Sequence, residues 1–313
     1  MPQTILALGS ILPPPEMEEL EKLFDVVRLR RSMDPEPILQ ERKLDITGIV
    51  STISTPVQAS LIEALPNLEI ISQFGVGVDN IDLTLAARRG VVVTNTPDVL
   101  TDDTADTAMA LMLAVMRRVC EGDMYVRVGK WLNGPMPLGT SLSGKTVGIV
   151  GMGRIGRAIA KRCEAFGMNI VYHGPNKKDV PYEYHSDLLA LANDADVMIL
   201  ACPGGPATEG IVNYPVMEAL GRRGVLVNIA RGPVIRQEDF LMALSNRVIA
   251  GAGLDVFWAE PNVPEPLISM DNVVLLPHVG SATTETRSAM ARLVIDNLLA
   301  HFDGKPLKTP VAA

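Results

Sequence analysis

The sequence predicts an α/β protein made of two doubly wound parallel-sheet domains, and three observations lead there. Short apolar runs alternate with helical patterns along most of the chain, an order that implies parallel strands covered on both faces. Residues 145 to 173 hold one complete strand, helix and strand, with glycines at the first turn. The length, 313 residues, suits two domains of ordinary size.

Within that stretch Thr146 to Val150 reads as a buried strand, and Gly151, Gly153 and Gly156 follow at G-x-G-x-x-G spacing. Arg154 to Phe166 carries apolar residues at helical intervals, and Asn169 to His173 is the second strand. Gly151 permits the tight turn, Gly153 lets backbone approach a pyrophosphate, and Gly156 lets helix and strand pack closely. Amides at the helix start favour phosphate, so a dinucleotide site on a Rossmann domain is expected. The other reading is a glycine-rich turn with no ligand.

An NAD site calls for an acid at the end of the second strand, where it meets the ribose 2′-hydroxyl. The chain instead runs Gly174, Pro175, Asn176, Lys177, Lys178, and its first acid, Asp179, comes late. Asn176, Lys177 and Lys178 would welcome a 2′-phosphate, so NADPH is expected, with NADH as the alternative. The lysine pair also reads as an ordinary solvated loop that does not discriminate between cofactors.

Composition bounds the rest. Apolar residues at 47% and charged ones at 20% describe a soluble globular chain. The net charge of −8 argues against nucleic acid and anionic membrane as partners, since phosphate contacts need clustered cations. Cys120, Cys163 and Cys202 have no metal-ligand spacing and read as buried thiols in a reducing, cytoplasmic compartment. No metal site is expected. The N-terminal run is broken by Gly9 and three prolines, so it reads as neither signal peptide nor membrane span.

In chain order, strands are expected at Thr4 to Leu8, Val26 to Leu29, Gly48 to Ser51, Ile70 to Gln73 and Val91 to Thr94. Helices are expected near 16 to 23, 35 to 43, 57 to 65 and 82 to 89, giving a flavodoxin-like domain over residues 1–98. The turn Phe74-Gly75-Val76-Gly77-Val78-Asp79 follows a strand end. The amides that its two glycines expose read either as a seat for a small carboxylate or as a tight loop.

Thr101 to Trp131 reads as one long helix, acidic in its first turn and apolar nearly all round, hence buried between domains or against a second subunit. Its methionines, with Trp131 and Trp258, read as packing. After His173, Ser186 caps a helix at Asp187 to Ala192, and helices at Pro215 to Leu220 and Gln237 to Leu244 follow. Strands at Val197 to Cys202, Gly224 to Ile229, Ile249 to Val256 and Val273 to Leu276 bring the second domain, 99–283, to six with the opening pair. Glu285 to Phe302 is a final helix outside that set, so residues 284–313 are assigned to the first domain.

Arg231, Glu260 and His278 lie just past strand ends, where ligands sit in such folds. Hydride reduction of a ketone needs a proton for the forming alkoxide, the role given to His278, and Glu260 beside it would favour the protonated imidazole. Arg231 could take the carboxylate of a 2-oxo acid in a fork. Taken singly, each also reads as an ordinary loop residue. His173, His185 and His301 read as bystanders.

GMGRIG at 151–156, NIARG at 228–232, GLDVFWAEP at 253–261 and HVGSAT at 278–283 resemble the D-2-hydroxyacid dehydrogenases, in particular the glyoxylate/hydroxypyruvate reductases. The resemblance spans essentially the whole chain. It implies Arg231, Glu260 and His278 as the catalytic trio, and amides of Val76 and Gly77 on the substrate carboxylate. It further implies cofactor contacts from Thr107, Arg154, Ile155, Cys202, Thr208, Ile229, Asp255 and Gly280, with Asp255 facing the nicotinamide carboxamide. A homodimer formed through the helix that begins near Thr101 is implied too, with the last helix completing the first domain.

Two positions depart from the pattern: Pro175 stands where NADP-preferring relatives often carry arginine, and Trp258 where many have glutamate. Glu260 speaks against a formate dehydrogenase, which carries glutamine there. Phosphoglycerate dehydrogenases often have a regulatory extension, and this sequence ends at Ala313. The expected activity is therefore reduction of glyoxylate or hydroxypyruvate to the D-2-hydroxy acid. The alternatives are a bulkier 2-oxo acid such as an aryl pyruvate, or a dinucleotide-sensing interaction protein on the same fold.

Overall fold

Two parallel sheets carry the chain, one in each of two compact units: Met1–Leu100 with Ala282–Ala313, and Thr101–Ser281. The computed structural model describes residues 2–9, 12–29 and 36–311. The expected helix start at residue 35 and the chain end at Ala313 lie outside the described residues.

The first unit runs β1 (Thr4–Leu8), α1 (Pro14–Leu23), β2 (Asp25–Leu29), α2 (Glu36–Arg42), β3 (Ile46–Thr52), α3 (Ala59–Ala64), β4 (Ile70–Phe74), α4 (Leu83–Arg88) and β5 (Val92–Thr94). Its sheet order is β2-β1-β3-β4-β5, every neighbouring pair parallel, the flavodoxin-like arrangement. β1 and β4 are buried at every position because helices cover both faces, which is why they read as continuous apolar runs.

The second unit opens with α5 (Thr101–Met116) and α6 (Val119–Arg127), and then β6 (Thr146–Val150), α7 (Arg154–Ala165), β7 (Asn169–His173) and β8 (Glu183–His185). It continues through α8 (Leu188–Asp194), β9 (Val197–Leu200), α9 (Tyr214–Leu220), β10 (Val225–Asn228), α10 (Gln237–Ser245), β11 (Gly251–Leu254), α11 (Glu265–Ile268) and β12 (Val273–Leu275). The last helix, α12 (Thr284–Phe302), belongs to the first unit, where it packs on β4 and hydrogen-bonds α1 through Ser288 and Glu16.

The second sheet is ordered β12-β11-β10-β9-β6-β7-β8, all parallel. Counted from β6, that order is 3-2-1-4-5-6 with a seventh strand added at the far edge. The sequence count of six therefore missed a strand. β8 is the third in the order, and its three residues, Glu-Tyr-His, have no apolar run to announce them. His185 lies in that strand rather than in a loop. Alternate residues of β9 and β10 face opposite cores: Met198, Leu200 and Leu226 meet one, Val197, Ile199 and Val227 the other.

Further expectations are corrected. The single helix from Thr101 to Trp131 breaks after Met116, with Arg118 in the left-handed region at φ 55°. Its last carbonyl, Met116 O, accepts from Thr140 N at 2.7 Å, so the returning connector closes it where no glycine or proline does. α5 buries Ala105, Ala108, Met109, Leu111, Met112 and Met116 along with Thr104, but α6 buries none of its residues. Trp131, read as packing, is 68% exposed, and Cys120 is exposed while Cys163 is buried. Asp187, rather than Ser186, caps α8, accepting from Leu189 N. β11 stops at Leu254, so Asp255 stands just past the strand.

Candidate active site

The glycine turn is built as its spacing requires. Gly151 has φ 103°, and a Cβ there would lie 2.7 Å from the Cys202 nitrogen, because the turns after β6 and β9 press together at the point where the strand order reverses. A Cβ on Gly156 would lie 2.1 Å from Gly151 O, so only glycine lets α7 start so close to the strand. A Cβ on Gly153 would meet nothing within 4 Å, and no side chain caps the start of α7. Open space in front of uncapped amides fits a dinucleotide pyrophosphate.

The other residues expected to hold the cofactor fall on the elements and loops of the same unit. Arg154 and Ile155 open α7, and Thr107 is half-buried on α5. Cys202 is half-buried after β9, its thiol pushed up to about 11 by burial. Thr208 folds the same loop back, donating to Pro203 O at 2.7 Å, and Ile229 is buried past β10. Asn176, Lys177 and Lys178 lie exposed in the loop after β7.

The turns after β10, β11 and β12 carry the candidate chemistry. His278 Nδ1 lies 2.7 Å from Glu260 Oε2, and the other oxygen of Glu260 accepts from Phe257 N at 3.0 Å. Burial works to raise the Glu260 carboxyl, but the His278 hydrogen bond and charge, the Phe257 amide and the Arg231 guanidinium outweigh it and hold it below its ordinary value. Glu260 is thus an ionised partner that fixes the imidazole, leaving Nε2 to face a reactant. Three of the predicted residues, Arg231, Glu260 and His278, are brought into one electrostatic group.

Two side chains that sequence reasoning left without this role hold those turns. Asn228, fully buried at the end of β10, donates to Arg231 O at 2.8 Å and accepts from Ala230 N at 3.0 Å. Gly232 presses on the next turn, where a Cβ would fall 2.2 Å from the Phe257 carbonyl carbon. Asp255, 2% exposed, accepts from Val279 N at 2.7 Å and Gly280 N at 2.9 Å, and so pins the turn that holds His278 at φ 54°. The motifs NIARG and GLDVF contained these residues, but only spatial neighbours reveal what they tie down. Trp258 packs on Phe240 with ring centroids 5.9 Å apart and donates to Ile235 O at 2.6 Å, a packing residue as expected.

In the first unit the loop after β4 rests on a buried polar network. Gln73 accepts from Ser51 and donates to Gly77 O at 3.2 Å and to Asn80 Oδ1 at 3.1 Å. Asn95 donates to Val76 O at 2.8 Å. The carbonyls of Val76 and Gly77 are therefore engaged, while neither amide donates to another described residue. Among the described residues no cluster of His, Cys, Asp and Glu could hold a metal ion, and no helix is long and apolar enough to cross a membrane.

Comparison with known proteins gives concordant matches. The model of the D-isomer specific 2-hydroxyacid dehydrogenase NAD-binding domain matches residues 109–280. A glyoxylate/hydroxypyruvate reductase A of Arabidopsis thaliana is 51% identical over 294 residues, 94% of each chain. A hydroxyphenylpyruvate reductase of Plectranthus scutellarioides is 50% identical over 295 residues, again 94% of each. Among solved structures, the NADPH-dependent glyoxylate/hydroxypyruvate reductase of Sinorhizobium meliloti, in complex with NADP and malonate, superposes with TM-score 0.94 at 44% identity, covering 100% of this chain and 97% of that one.

Proposed function

This chain belongs to the D-isomer specific 2-hydroxyacid dehydrogenase family, and from that premise we propose that it reduces small 2-oxo acids, glyoxylate and hydroxypyruvate first, with NADPH. The observation that carries the reading is the His278–Glu260 pair at 2.7 Å beside Arg231. A reduced nicotinamide, when bound, would supply the hydride. As hydride reaches the carbonyl carbon, the C=O π bond breaks, and His278 Nε2 gives its proton to the oxygen, completing the hydroxyl. Glu260 keeps its charge through the step and stabilises the imidazolium beforehand. Arg231 is assigned to the substrate carboxylate, and in the first unit the amides of Val76 and Gly77 are assigned to a carboxylate as well.

The cofactor assignment rests on Asn176, Lys177 and Lys178, exposed where a 2′-phosphate would lie on such a fold, and on the NADP held by the Sinorhizobium meliloti relative. We assign Thr107, Arg154, Ile155, Cys202, Thr208, Ile229 and the Asp255–Gly280 pair to the remainder of the cofactor, residues 99–283 to the cofactor domain, and the rest to the substrate domain. The exposed apolar side chains Val119, Met124, Val126, Val128, Trp131 and Leu132 suit burial against a second copy, so the protein is assigned as a homodimer, residing in the cytoplasm.

Initial rates with glyoxylate, hydroxypyruvate and phenylpyruvate, each with NADPH and NADH, test the reading. Fast turnover of either small acid with NADPH is expected. Faster turnover of phenylpyruvate would favour the second reading, an aryl-pyruvate reductase, which the hydroxyphenylpyruvate reductase relative supports. Tight cofactor binding without turnover would point to a sensor, a reading the intact trio opposes. Sedimentation of the native protein as a monomer would remove the dimer.

A further inference from the structure

We infer that Tyr172 and Tyr184 are positioning residues for cofactor choice: their hydroxyls hold the backbone of the loop that presents Lys177 and Lys178. The inference rests on the proposed reading of that loop as the 2′-phosphate seat.

Tyr172 is 0% exposed on β7, yet its hydroxyl accepts from Lys178 N at 2.7 Å and donates to Lys178 O at 3.1 Å. Tyr184 is its partner in register on β8, the rings 5.3 Å apart, and its hydroxyl donates to Gly174 O at 2.9 Å. Arg157, reaching over from α7, donates to Asp179 O at 3.2 Å. Both ends of the segment from Gly174 to Lys178 are therefore tied, and by side chains of the sheet and helix rather than by the segment itself. Packing alone would be served by phenylalanine, since a hydroxyl on a buried ring is costly unless it is hydrogen-bonded.

The tie matters because of what the loop carries. Lysine binds phosphate as a point charge on a flexible stem, losing rotamer freedom when held. An unanchored backbone would add its own ordering cost to that, and a pre-set one does not. Neither ammonium has a carboxylate partner among the described residues, so both remain available to an anion. In a chain of net charge −8, two such cations placed four to five residues past a cofactor strand give the local attraction that the molecule as a whole lacks.

The test measures kcat and KM for NADPH and NADH with Tyr172→Phe, Tyr184→Phe and the double variant Lys177→Ala/Lys178→Ala. Each phenylalanine variant should raise KM for NADPH roughly three- to tenfold, the loss of one or two hydrogen bonds. KM for NADH should move by less than about twofold, with kcat steady, as expected when only ground-state binding is lost. Equal changes for both cofactors, or no change for either, would overturn the assignment. If Tyr172→Phe fails to fold, Tyr184→Phe, on the sheet edge, decides. An unchanged NADPH to NADH ratio in the double lysine variant would sink the phosphate seat itself. A reduced ratio there, with the phenylalanine variants unmoved, would sink the tyrosine assignment alone.

Discussion

Asp255 and Glu260 are carboxylates five residues apart on one segment, and their surroundings push them in opposite directions. Asp255 is 2% exposed, and burial raises it more than the amides of Val279 and Gly280 lower it. Glu260 also suffers burial, but the His278 hydrogen bond and charge, the Phe257 amide and the Arg231 guanidinium overcome it. His278 lowers both, but it hydrogen-bonds only Glu260, and the Glu260 charge itself adds to the raising of Asp255. One carboxylate thus serves as scaffold and the other as the ionised partner of His278, although the residue types would suggest equal roles.

The largest effect should come from breaking the pair. His278→Ala is expected to lower turnover by roughly 10²- to 10⁴-fold while the cofactor dissociation constant barely moves. Turnover close to that of the native enzyme would remove His278 as proton donor. Asp255→Ala should act on stability first, since it leaves the buried Gly280 amide and the half-buried Val279 amide without acceptors, at about 1–3 kcal/mol for the buried one. Its thermal midpoint should drop markedly, with kcat falling as the His278 turn loosens. A midpoint equal to the native one would mean that Asp255 does not pin that turn.

Gly232→Ala sharpens the comparison from the side of Glu260. A Cβ there would fall 2.2 Å from the Phe257 carbonyl carbon, so the segment leading to Glu260 must shift, at a cost of about 1–3 kcal/mol. Lower kcat with near-native cofactor affinity is expected, and native kcat would show that the two turns move independently.

The smallest effect is on acid stability. The unfolded Glu value is about 4.3, and Glu260 sits lower when folded, so its contribution is present above that value and lost as pH falls through the folded one. Asp255 is raised when folded, so its contribution is present below about 3.9 and is lost as pH rises through the folded value. Unfolding midpoints from roughly pH 3 to pH 6 should therefore converge with the native protein toward acid for Glu260→Gln. Curves for that variant and the native protein that stay parallel would contradict the depressed carboxyl.

Much of this was legible because local chemistry enforces it. The strand from Thr146 to Val150 and the turn at Gly151, Gly153 and Gly156 follow from apolar runs and from contacts that no Cβ could occupy. The short strand Glu183–His185 was invisible, because its pairing with β7, and not its composition, makes it a strand. The break after Met116 was invisible too, since it depends on Thr140, a residue far along the chain, reaching its carbonyl.

By itself the sequence determined the fold class, the family and the identity of the candidate groups, because hydrophobic periodicity and steric exclusion at glycine act over a few residues. Only the tertiary structure decided how those groups are held: Glu260 on His278, Asp255 on the two amides beyond it, Asn228 on the Arg231 turn, and the tyrosines on the lysine loop. Desolvation and hydrogen bonding are set by neighbours in space, and chain order carries no record of those until the strands have paired.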